Sequence, residues 1–233
     1  MVSKTRKNII PHSTPKSKTL FFYNFERTNS LIDWINKNRV KNHDYRKYPA
    51  KLLNIDCSKV KFLKPYHIAP LSCLIHEYQV DGFRIKIKNI PNTIKDYLNS
   101  FDFDQFCEKR HKNNFLTPKD PKVFPLWRIE QDAISIYPKK VQEYFERNHF
   151  DGKSLFSLSI SLAELLNNVF DHSGSSIPGY TFTQYNPKKK SIVTCVCDFG
   201  VGIPFPGSLI VIWLDINRLP IQEEEFTDEL LLF

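Results

Sequence analysis

The chain has 233 residues, of which 41% are hydrophobic and 25% charged, and its formal net charge is +8. This length and composition predict one large or two small globular domains with a hydrophobic core. The longest apolar run, Leu209 to Leu214, is far shorter than the roughly 20 residues that a membrane-spanning helix needs. The basic start, Met1 to Lys7, has no apolar segment of signal-peptide length behind it. The sequence therefore predicts a cytoplasmic protein with no membrane partner.

The basic residues and the cysteines do not indicate a specific ligand. Apart from the start and the run Lys188 to Lys190, the basic residues are spread along the chain, which favours a solvated surface over a nucleic-acid site. The five cysteines are odd in number and lie in apolar sequence, as is typical of reduced, buried thiols. Cys195 and Cys197 suggest metal binding, but no second pair at zinc spacing follows, so we expect a structural role.

The first half of the chain alternates strand and helix patterns. Residues 1–18 are polar and basic and predict a flexible tail. Residues 19–106 predict one α/β domain with a parallel sheet and a right-handed crossover. Its predicted elements are a helix around Leu31–Ile35, a strand over Lys51–Asp56, a helix from Pro65, a strand over Phe83–Lys88 and a helix over Asn92–Leu98.

The stretch Leu53 to Leu63, followed by a helix, resembles the STAS domain, the fold of anti-sigma factor antagonists. In that family an Asp-Ser-Ser-Gly stretch opens the helix, and one serine is the phosphorylation switch. Here Lys64-Pro65-Tyr66-His67 stands in its place and offers no serine. The resemblance therefore implies a docking or spacer domain without the switch chemistry.

Residues 107–130 predict a linker, because Pro118, Pro121 and Pro125 lie there among charged residues. Residues 131–233 predict a second domain. It begins with a helix that reaches His149 and that Pro138 interrupts. The remaining elements of this domain carry the two motifs from which a function can be inferred.

The first motif lies on a helix around residues 159–173, whose apolar residues share one face at helical spacing. Glu164 and Asn168 lie on the opposite face, one turn and roughly 6 Å apart, where they can hold a divalent ion and a water. Two successive asparagines in the middle of a helix break local preferences, as functional sites often do. Asp171 and His172 lie on the same polar face.

The second motif follows two strands that a turn at Asn186–Lys190 joins. The later strand, Ser191 to Cys197, ends in Asp198, with Gly200 and Gly202 behind it. An acid at a strand end, followed by alternating glycines, permits close approach of the backbone to a ligand.

Together, the helix motif and Asp198-Phe199-Gly200-Val201-Gly202 resemble the ATP site of the GHKL superfamily of gyrase, heat-shock chaperone, histidine kinase and MutL ATPases. The resemblance implies ATP and Mg²⁺ as cofactors, with Asn168 as the Mg²⁺ ligand and Glu164 as the catalytic residue that orients or deprotonates the attacking water. Asp198 would accept from the adenine amino group, and Gly200 and Gly202 would pass beside the base. Asp171 and His172 would lie near the phosphates, as in anti-sigma serine kinases.

The expected fold is thus α/β, with a STAS-like unit followed by a shortened GHKL two-layer sandwich. No glycine follows Gly207, so the second glycine box and the ATP lid are expected to be missing and the domain incomplete at its C-terminus. Asp198-Phe199-Gly200 also spells a protein-kinase magnesium motif, but the accompanying catalytic and glycine loops are absent from the sequence. The expected function is an ATP- or ADP-binding regulatory protein with a protein partner. The alternative is an interaction module without turnover, and enzyme activity stays open.

Overall fold

The computed structural model describes residues 17–40, 51–108, 118–172 and 174–200, together with the backbone of 209–215. It is an α/β protein with two sheets. The elements are β1 Lys18–Tyr23, α1 Thr28–Asn38, β2 Leu52–Lys59, α2 Pro65–Val80, β3 Arg84–Lys88, α3 Asn92–Asn99, α4 Phe103–Cys107, β4 Val123–Arg128, α5 Gln131–His149, α6 Phe156–His172, β5 Tyr180–Asn186, β6 Ser191–Cys197 and β7 Leu209–Asp215.

The first sheet has the order β1-β2-β3 and is parallel throughout, as the alternation of strands and helices predicts. One face packs on α2, through Leu20, Leu53 and Ile55. Residues two apart in a strand point to the same face, so the other face carries Phe21 and the exposed Lys86. The sheet is therefore covered by helices on one side.

Helix α2 lies between the two sheets. Nearly all of its residues are buried, on every side of the helix, and it contacts β3 of the first sheet as well as β5 and β6 of the second. A helix that is apolar on all sides needs such a fully enclosed position. One buried cluster consequently extends from β1 and β2 through α2 to β5 and β6.

The second sheet has the order β4-β5-β6-β7 and is antiparallel. Strand β6 is buried along its whole length. Its Cys195 and Cys197 belong to the cluster around α2, whereas Ile192 and Val196 belong to a second cluster with α5 and α6. Sheet and helices α5 and α6 thus form two layers, with α2 behind the sheet.

Two features differ from the sequence predictions. Strand β4 lies within the stretch predicted as a linker and pairs with β5 there. Pro138 does not interrupt its helix, since α5 continues from Gln131 to His149. None of the helices in the described parts of the chain is long and apolar enough to cross a membrane.

Candidate functional site

The helix that carries the first motif has the predicted orientation. Leu162, Leu166 and Val169 are buried against the second sheet, which leaves Glu164 and Asn168 exposed on the solvent side of α6. Asp171 and His172 are also exposed, in the last turn of this helix. The polar side chains of the motif are therefore available to a ligand from solvent.

Asp198 directly follows β6 and is only 3% exposed. Its Oδ1 accepts a hydrogen bond of 2.6 Å from the backbone N–H of Gly200, which closes a tight turn. Burial raises the pKa of Asp198, while the Gly200 N–H and the positive charge of Arg39 oppose this rise. Gly202, the other glycine of the motif, lies outside the described residues.

A single glycine brings the two motifs to the same edge of the sheet. A Cβ on Gly179, just before β5, would lie 2.9 Å from both Val169 Cγ1 and the backbone oxygen of Cys197. Val169 follows Asn168 in sequence, and Cys197 precedes Asp198. The last turns of α6 and the end of β6 therefore both pack against Gly179, at a position where only glycine fits without displacement.

Asp198 lies between two residues that pack towards α2. Its neighbours Cys197 and Phe199 both belong to the buried cluster on the α2 side of the sheet. Burial and, to a smaller extent, the charge of Asp198 raise the pKa of the Cys73 thiol in α2. The link between Asp198 and the first motif is therefore the packing of both chain segments around Gly179.

A buried ion pair between Arg39 and Glu77, which no sequence pattern predicts, contacts the turn at Asp198. Arg39 follows α1 and donates from Nη1 to the Phe199 carbonyl oxygen at 3.2 Å, and its guanidinium lies 4.2 Å from the centre of the Phe199 ring. The same guanidinium pairs with Glu77 of α2 through bonds of 3.0 Å and 2.8 Å. Glu77 Oε2 also accepts from the N–H of Val40 at 2.8 Å. No local pattern predicts these contacts, because Arg39 and Phe199 are 160 residues apart.

Two further contacts join α2 to the same edge of the sheet. Cys73 Sγ donates to the backbone oxygen of Cys197 at 3.3 Å. His76 Nδ1 and the Tyr180 hydroxyl are 2.7 Å apart.

The five cysteines are all reduced and buried, as expected, and burial raises the pKa of the Cys57 thiol to about 12. These cysteines therefore act as packing residues.

The exposed oxygens of Asn168 and Glu164 are of the kind that Mg²⁺ prefers, but they are too few to bind the ion alone. In the described residues, no group of three or more His, Cys, Asp or Glu is arranged to hold a metal ion. Mg²⁺ is commonly held by one or two protein oxygens together with substrate phosphates. The donor set therefore fits a Mg²⁺ that arrives with a nucleotide.

A surface depression of about 460 Å³ lies elsewhere, between the end of α5 and the start of α6, and Glu146 and Arg147 help to line it. It is separated from Asn168 by most of the length of α6, so it is not part of the site.

Comparison of the chain with protein-family models, with curated proteins and with solved structures finds no match.

Proposed function

We propose that the chain is an ATP-binding regulatory protein of GHKL type, in which α6 and the turn after β6 form the nucleotide site. The contact of Val169 with Gly179 and of Gly179 with Cys197 is the observation that supports this most. It joins the end of the helix with Asn168 to the end of the strand with Asp198. A helix carrying phosphate-side ligands and a buried acid at the base side are the two ends of such a site.

Each residue has a defined task under this proposal. Asp198 accepts from the exocyclic amino group of adenine, as a buried carboxylate that directly follows β6. Asn168 would supply an amide oxygen to a Mg²⁺ that arrives with the nucleotide, and Glu164 would orient a water one turn away. Asp171 and His172 lie beyond Asn168, at the phosphate end. The bound Mg²⁺ supplies charge neutralisation for the phosphates.

The first test is calorimetric titration of the full chain with MgATP, MgADP and adenosine. Asp198→Asn should weaken all three, since each contains the base. Asn168→Ala should weaken MgATP much more than adenosine, because only MgATP carries the ion. Asn167→Ala is the matched control, as this neighbouring asparagine is also exposed on α6. Absence of binding by the unmodified chain at millimolar nucleotide would refute the proposal.

Turnover is tested separately by phosphate release. We expect very slow hydrolysis or none, because phosphoryl transfer depends on positioning and on exclusion of water around the phosphates. Asn168, Asp171 and His172 are exposed at this end of α6. Glu164→Ala should leave MgATP affinity nearly unchanged. Rapid hydrolysis that this variant abolishes would instead make the protein an ATPase.

A second candidate is an interaction module that keeps the fold without a nucleotide. The observation in its favour is that the Asp198 carboxylate is already bonded to Gly200 and almost inaccessible. On this hypothesis ATP leaves the melting temperature unchanged in the wild type and in Asp198→Asn alike. An ATP-dependent rise in melting temperature that Asp198→Asn removes would exclude it.

A further inference from the structure

We propose that the face of the first sheet that points away from α2 binds single-stranded nucleic acid. This surface, here called the outer face, has three columns of side chains that the strand register brings side by side. Phe21 of β1 is in register with Asp56 of β2, which is in register with Lys88 of β3. In the next row Thr19 and Lys86 are exposed, whereas Asn54 between them is buried and donates to Ser17 Oγ at 2.9 Å.

One edge of the outer face is aromatic. Phe21 is 48% exposed and Tyr23 is 36% exposed, two positions further along β1. Phe62, in the loop after β2, is 38% exposed. Its carbonyl accepts a bond of 2.7 Å from Asn24, which directly follows Tyr23. The exposed rings of Phe21 and Tyr23, two residues apart on β1, offer bases a place to stack, and Phe62 adds a third ring at the end of this edge.

The opposite edge is basic. Arg84, Lys86 and Lys88 alternate with Ile85 and Ile87 along β3, so the three cations point outwards while the two isoleucines pack on the core. Residues two apart in a strand are roughly 6.6 Å apart, and two strand spacings, roughly 10 Å, separate the basic from the aromatic column. A nucleotide can span this distance, with its base on the rings and its phosphate at β3.

Further charges extend the basic surface around the aromatic edge. Lys59 lies with its Nζ 5.4 Å from the centre of the Tyr23 ring, and Lys61 is exposed two residues further along the chain. The acid on this face, Asp56, accepts bonds from the Ser58 N–H and from Asn89. The outer face is therefore strongly positive, and its one described acid is engaged within the protein.

The combination of rings and cations favours nucleic acid over an acidic peptide. Peptides that bind sheets add a strand to an edge and use backbone hydrogen bonds. Here the exposed groups lie on the flat face, and the rings would add nothing to recognition of carboxylates. Because phosphates and base faces are shared by DNA and RNA, the same site should accept both. The sequence shows the alternating cations of β3, but only strand pairing places them in the same sheet as Phe21 and Tyr23.

The test measures fluorescence anisotropy of a labelled oligothymidylate of about 12 nucleotides, with the full chain, over a range of salt concentrations. Lys86→Ala/Lys88→Ala should lower the slope of log affinity against log salt by about 1.4, since each phosphate contact to a single strand contributes about 0.7. Phe21→Ala should weaken binding by about 5- to 150-fold and leave the slope unchanged.

Matched controls lie on the other side of the molecule. Lys139→Ala/Lys140→Ala removes the same charge from exposed positions of α5, and Phe156→Ala removes a ring that is 53% exposed on α6. Neither should change affinity or slope, and oligouridylate should bind as tightly as oligothymidylate. Equal losses in controls and outer-face variants would overturn the proposal. So would no binding by the wild type, or binding of polyglutamate that depends on the same residues.

Discussion

Replacement of Glu77 by Gln should strongly destabilise the protein, because it leaves the Arg39 charge buried without its partner. The side chains of Arg39 and Glu77 are only 9% and 10% exposed. Glutamine keeps the size of the side chain but removes the charge. Loss of one member of a buried ion pair costs about 3–5 kcal/mol. For a chain of this size, that corresponds to a fall in melting temperature of roughly 6–20 °C.

The assay is urea denaturation of four proteins: wild type, Glu77→Gln, Arg39→Met and Glu77→Gln/Arg39→Met. The double variant should lose less than the two single variants together, since it leaves no uncompensated charge. Glu143→Gln is the control, because Glu143 belongs to an exposed pair with Lys139 at 3.9 Å and should change stability by less than about 1 kcal/mol. Equal effects of Glu77→Gln and Glu143→Gln would refute the reasoning.

Three further predictions concern pH and packing. Burial lowers the pKa of His67 to about 4, so on acidification the unfolded state binds a proton at this histidine before the folded state does. Between pH 7 and pH 4 the free energy of unfolding should therefore fall by about 3 kcal/mol. Denaturation curves of His67→Gln, measured in parallel, should not show this loss. Burial raises the pKa of Asp198, so its contribution to stability changes with pH in the opposite direction: as pH rises above about 4, the unfolded state loses this proton before the folded state does, and the wild type is weakened. Asp198→Asn should therefore gain stability relative to wild type as pH rises. A stability difference that stays constant from pH 3 to pH 7 would contradict this. Gly179→Ala should cost about 1–3 kcal/mol in calorimetric unfolding, because its Cβ would meet Val169 and the Cys197 backbone.

The elements with a clear period could be predicted from sequence alone. The outward orientation of Glu164 and Asn168 followed from leucines at helical spacing, and α6 confirms it. The α/β class and the parallel pairing of the first sheet are also confirmed. The patterns of α6 and β3 are local, because one face of each element packs on the core while the other is exposed.

Strand β4 was missed because its sequence contains Pro125. Proline is tolerated in a sheet at an edge strand or at an irregularity in the pairing. Strand β4 is an edge strand, and its register with β5 shifts between Phe124 and Trp127, around the proline. A proline-rich segment with Phe124, Leu126 and Trp127 close together is thus better interpreted as an irregular edge strand than as a linker.

The contact of Arg39 with Phe199 has a consequence for how the two halves of the chain influence one another. Arg39 and Glu77 belong to the half predicted as STAS-like, whereas Asp198 and Phe199 belong to the proposed nucleotide site. The charge of Arg39 favours the ionised form of Asp198. A movement of Arg39 would therefore change the position of Phe199 and the ionisation of Asp198. A ligand that binds Asp198 and displaces this turn would in return disturb the Arg39–Glu77 pair, since coupling between two sites is reciprocal.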